Sequence, residues 1–149
     1  MIKRLLLFFI IIEFLFSQDV YPYFNDMGKQ LEFEQKKIYE SEIKKKITSY
    51  KSQDVKKDRY ESDKFIDFDN VVEKLVISKL KCKYCNKEIV ILTNKYRDND
   101  QWTLERINND IGHNTDNVII SCLECNLKRR NSNMDNFEYT KKLKINKSI

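Results

Sequence analysis

From Thr103 to Arg130 the chain reads TLERINNDIGHNTDNVIISCLECNLKRR, and the pair Cys122-Leu123-Glu124-Cys125 near its end answers an earlier Cys82-Lys83-Tyr84-Cys85. These are the only cysteines among 149 residues. Two CxxC pairs separated by an intervening 36 residues have the spacing of a tetrahedral Zn²⁺ site, because each pair sets two sulfurs about one turn apart on a tight bend. Two disulfides would need an oxidising compartment, and a two-bridge scaffold with no other cysteine is rarer than zinc at this spacing. Four thiolates leave the ion no open position, so the zinc expected on Cys82, Cys85, Cys122 and Cys125 is structural. It would supply folding free energy of about 10–16 kcal/mol.

Reading outward from the cysteines gives the order of elements. Asp67 or Asp69 caps a helix whose Val71, Val72, Leu75 and Val76 give it a core face. After the first pair, Ile89-Val90-Ile91-Leu92 is a short β-prone run, and Asp98-Asn99-Asp100 reads as a turn. Residues 102–107 alternate as a half-buried strand, with Trp102 and Leu104 toward the core. A polar loop carries Gly112 and His113, Val118-Ile119-Ile120 forms a further strand, and a helix starts near Leu123.

Upstream the pattern changes. Residues 28–64 are dense in Lys, Glu, Asp, Gln and Ser, with Leu31, Ile38, Ile43 and Ile47 in loose helical spacing; they read as a solvated, charged spacer without chemistry. Residues 1–18 have two readings. One is signal-peptide-like, with Lys3 and Arg4, an apolar stretch and Ser17. The other is a hydrophobic helix packed on the chain's own core or on a partner. Leu5 to Phe16 is too short for an ordinary membrane span, and Glu13 raises the cost of insertion. Localisation therefore stays open, with membrane contact by this segment one of its forms, and so does oligomeric state. With only 2 Gly and 1 Pro, collagen-like and low-complexity classes are excluded. The net charge of +5 permits a polyanionic partner without proposing one.

Taken in order, Thr103-Leu104-Glu105-Arg106-Ile107, Gly112-His113-Asn114, Asp116-Asn117-Val118 and Cys122-Leu123-Glu124-Cys125-Asn126 resemble the HNH, or ββα-metal, endonucleases, and within them a branch common in viruses. The resemblance spans about residues 66–145. It implies hydrolysis of a DNA phosphodiester, with no small-molecule cofactor. His113 would be the general base, and Asn117 would brace the loop by side-chain hydrogen bonds. A hard divalent ion takes oxygen ligands and keeps waters, so Glu105 from a strand and Asn126 from a helix fit a catalytic Mg²⁺ or Mn²⁺. On that helix Asn126 lies about 100° round from Cys125, so sulfur and amide can serve different sites. Arg106, Lys128, Arg129 and Arg130 would hold phosphates. Two positions depart from the family pattern. Glu105 stands where an Asp is usual, and Arg106 occupies the place after it where many members carry the base.

The expected architecture is α+β: residues 1–18 a hydrophobic segment, 19–65 a charged helical extension, and 66–149 a small zinc-stapled ββα-metal (HNH) module. Its rivals are a zinc-containing nucleic-acid-binding module with a degenerate catalytic site, and a secreted disulfide-linked protein.

Overall fold

The computed structural model describes residues 26–143, with side chains from residue 36 onward; the hydrophobic segment read at 1–18 lies outside the described residues. Helix α1 (Asp26–Lys56) is followed by α2 (Phe68–Ile77), strands β1 (Trp102–Arg106) and β2 (Val118–Cys122), then α3 (Leu123–Arg129) and α4 (Met134–Lys142). The fold is mixed α and β around one two-stranded sheet. Among the described residues no helix is long and apolar enough to cross a membrane.

The sheet is antiparallel, pairing Trp102 with Cys122 and Arg106 with Val118 at its ends. Its first strand is not half-buried as the alternation predicts, because both faces are covered. Trp102 and Leu104 enter the apolar core. Thr103 and Glu105 are also buried, against polar side chains of α3. The β-prone run at Ile89–Leu92 adds no strand. It makes only an isolated bridge from Val90 to Gln101, while Ile89 and Ile91 point into the core. One backbone crossing near the start of β1 is enough to seal that corner with two isoleucines.

Helix α2 forms where its caps predict: the Asp67 side chain accepts from the Asn70 amide at 2.8 Å, a cap worth about 0.5–2 kcal/mol. Val71, Val72 and Leu75 are buried behind it.

The charged helix α1 is not a detached spacer over its described side chains. Ile43 is buried in the common core, with Tyr39, Ile47 and Tyr50 packed against it. Together with buried Asp54 they recur at spacings of four, four, three and four, one stripe along the helix. Burying a side chain the size of Ile43 stabilises by about 1.5–3 kcal/mol. Counting the two tyrosines as partly apolar would have exposed this stripe; isoleucine alone left it sparse.

Candidate functional site

The four cysteines converge. Their sulfur atoms all lie within 4.8 Å of one another, and Cys85 Sγ is 3.8 Å from Cys122 Sγ. Four ligands at about 2.3 Å around a tetrahedral ion stand roughly 3.8 Å apart, so the cluster could hold a structural metal such as zinc. Local backbone builds it. At the first pair the Cys82 amide donates to Lys87 O at 2.8 Å, and the turn closes through Asn86 at φ 56°. At the second, Cys122 ends β2 and caps α3, its sulfur accepting from the Cys125 amide at 3.4 Å. A hydrogen bond from Cys122 holds the Cys82 thiol well below its ordinary range and pushes Cys122 up. Thiolates packed this tightly repel unless a cation lies among them.

On the opposite side of α3 lies a cleft of about 440 Å³ whose lining includes Tyr50, Thr103, Glu105, Arg106, His113 and Asn126, with Arg130 at its edge. Helix α3 thus turns Cys125 to the sulfur cluster and Asn126 to the cleft.

His113 is fixed on three sides. Its amide donates to Asp54 Oδ2 at 2.6 Å, its Nδ1 meets Asp54 Oδ1 at 2.8 Å, and its carbonyl accepts from the Ile66 amide at 3.0 Å. The Tyr50 ring packs over the imidazole with centroids 4.5 Å apart. With Nδ1–H donated to Asp54, Nε2 carries the lone pair. Burial lowers the ring's pKa below the usual histidine value, against the pull of the Asp54 charge. The imidazole is therefore neutral at neutral pH.

The approach of Asp54 depends on Gly112. A Cβ there would come within 2.5 Å of Arg59 O and 2.7 Å of Asp54 Oδ2. Gly112→Ala is expected to destabilise by about 1–3 kcal/mol, as overpacking does, seen as a drop in thermal midpoint. An unchanged midpoint would mean the loop gives way freely.

Glu105 sits on β1 with one carboxylate oxygen bonded to the Arg129 guanidinium and the other, Oε2, buried without a hydrogen-bond partner. Burial pushes this carboxyl up to about 7, with Arg129 opposing. Asn126 Nδ2 donates to Thr103 Oγ1 at 3.2 Å, leaving its carbonyl oxygen for another contact. Asn117 is buried below the loop and makes three bonds at 2.9 Å: its Oδ1 accepts from the Asn108 amide, and its Nδ2 donates to Asn108 O and Gly112 O.

The basic tail divides. Arg130 is exposed, at φ 52° just past the end of α3. Lys128 faces outward and pairs with Glu124 at 2.5 Å. Arg129 is not a phosphate-facing cation. It is 2% exposed and bonds Glu105, Arg106 O and Ile107 O. Three residues beyond Asn126, the helix points that guanidinium back at β1, where buried Glu105 and two strand-end carbonyls need a donor. Arg106 Nη1 donates to Asn109 O and Ile111 O at 3.2 and 3.3 Å.

Asp54 and Tyr50 are the site residues that sequence reasoning missed. Their one signal was the stripe along α1. Neither a protein-family model, nor a curated protein, nor a solved structure matches the chain.

Proposed function

We propose that this protein is a metal-dependent HNH-type endonuclease that hydrolyses DNA phosphodiester bonds. The observation that carries the reading is one cleft in which an Asp-oriented neutral imidazole, a buried carboxylate with an unpartnered oxygen, a helix amide and two arginines converge. The succession of β1, β2 and α3, with Cys122 and Cys125 where β2 passes into α3, supports this reading.

In this proposal His113 Nε2 takes a proton from the attacking water as general base. Asp54 holds the ring in that tautomer and stabilises the imidazolium that forms. The water oxygen bonds to phosphorus as the bond to the departing sugar oxygen breaks. Arg106 and Arg130, at the cleft wall, offer donors to the phosphate. The donor set fits a hard divalent ion: Glu105 Oε2 is buried without a hydrogen-bond partner, and Asn126, bonded to Thr103 through its Nδ2, keeps its carbonyl oxygen for a cation. A Mg²⁺ or Mn²⁺ held by them would supply Lewis-acid stabilisation of the departing oxygen.

The test is plasmid cleavage by the zinc-loaded chain in Mg²⁺ or Mn²⁺. Nicking is expected with either ion, and Asn126→Ala should abolish it while leaving zinc at one per chain. The apparent Mg²⁺ affinity should fall as pH drops below about 7, where the Glu105 proton competes with the ion. Cutting that survives Asn126→Ala would show that the active site lies elsewhere. A second reading, a zinc-containing module that binds nucleic acid without cutting it, is favoured by one observation: Arg129 occupies one oxygen of Glu105. It predicts salt-sensitive DNA binding with no cleavage in any divalent ion.

A further inference from the structure

Beside the cleft lies a larger hollow of about 610 Å³, and the two share Arg106, Asn109 and Asn131 as a common rim. Asn109 ties that rim together, its Nδ2 donating to Arg130 O at 3.0 Å. Into the hollow come cations from two separate parts of the chain: Lys57 and Arg59 just past α1, and Arg106 at the end of β1. Neither Lys57 nor Arg59 has an ion-pair partner among the described residues. Burial, and next the nearby Arg59, push the Arg106 guanidinium below its ordinary range. Asp110 and Asp135 also line the hollow, and amides fill much of the rest of its wall.

Neither aspartate is ion-paired to these cations, and like charges gathered together cost stability in the free protein that an anion offsets. A small free anion would use the cations but leave the long amide wall unoccupied. A chain of phosphates and sugars uses both, since amides donate to phosphate and sugar oxygens. Continuity with the catalytic cleft supplies the direction.

We propose that this hollow is a second phosphate subsite, in which Lys57 and Arg59 hold the DNA backbone flanking the bond presented to His113. The inference rests on the DNA reading above and adds to it that the charged N-terminal extension is part of the substrate track. Contacts of this kind position the duplex and carry no base information.

The experiment uses the full zinc-loaded chain without added Mg²⁺ or Mn²⁺, so that no strand is cut, and a fluorescein-labelled 20-base-pair duplex followed by anisotropy between 50 and 200 mM KCl, about the range over which phosphate contacts are read. The variant Lys57→Gln with Arg59→Gln should bind about 10-fold more weakly near 100 mM salt. Its slope of log affinity against log salt should be shallower by about 1.8, for two phosphates lost. Lys57→Gln alone, at an exposed position, should give about half that change and guards against misfolding of the double variant. Equal affinity and slope in parent and variants would overturn the subsite, while cleavage by the parent would leave the nuclease reading standing. No duplex binding by the parent would overturn both. Tighter binding of a single-stranded RNA of the same length would overturn DNA as the occupant.

Discussion

His113→Ala is expected to lower Mg²⁺-dependent cleavage by about 10²–10⁴-fold, the range over which a positioned general base acts, with zinc content unchanged. The geometry behind this is the Asp54 contact at 2.8 Å, which leaves Nε2 as the basic nitrogen. Removing the ring also takes away one of the hydrogen bonds to the buried Asp54 carboxylate, leaving the His113 amide on the other oxygen, at a cost of about 1–3 kcal/mol. The conservative companion is therefore Asp54→Asn. It keeps shape and burial but no longer dictates the tautomer, and kcat should fall by a comparable factor while KM stays within about 2-fold. A loss expressed in KM alone would mean that Asp54 shapes the cleft and does not act through His113. The pH dependence has a definite sign. Burial lowers the His113 pKa in the folded chain, so the unfolded chain binds that proton more readily. The stability contributed by the neutral ring is complete above about pH 6.5 and is lost as pH falls through the depressed value. Asp54→Asn takes away the charge that opposes this shift and should enlarge the acid-side stability loss, measured as thermal midpoint from pH 7 down to 5.

Chelation of the metal from the four-cysteine cluster is expected to unfold the β1–β2–α3 region. Zinc on four thiolates contributes about 10–16 kcal/mol to folding, and a domain of this size is stable by about 5–15 kcal/mol in all. The loss is therefore of the same order as the whole. Cys82, Cys122 and Cys125 are buried, and without a cation their thiolates crowd within 4.8 Å. A strong chelator should abolish the near-ultraviolet signal of Trp102, which is wholly buried in the core, and added Zn²⁺ should restore it. Cys122→Ser should do the same without chelator, because Cys122 is at once a sulfur of the cluster, the partner of Trp102 in the sheet and the cap of α3. A chain that keeps its Trp102 signal and thermal midpoint after metal removal would show that the apolar core suffices alone.

Much of the module was legible along the chain because its signals are local. The Asp67 cap and the Val71, Val72 and Leu75 face gave α2, and the two CxxC pairs gave the cluster. The apolar runs beginning at Trp102 and Val118 gave strands that pair in register. Where the reading fell short, the missing term was a partner far away in sequence. Arg129 looked like one more surface cation in a basic tail; only its 24-residue separation from Glu105, closed by the fold, shows it spent inside. The Ile89–Leu92 run had strand composition, but past the Val90 bridge the outer edge of β1 is taken by α1, where Lys46 donates to Trp102 O and Tyr50 accepts from the Leu104 amide.

What the sequence by itself determined was the chemistry on offer: four thiols at metal spacing, one histidine, an acid on a strand and an amide on the helix that follows the next strand. What only the tertiary structure decided was who holds whom. Asp54 meets His113 across 59 residues, and a helix whose pattern reads as solvated becomes a wall of the cleft. Spacing along a chain fixes which side chains share a helix face or a strand face. Which faces then meet depends on burial and hydrogen bonding summed over the whole molecule, and no local pattern carries that sum.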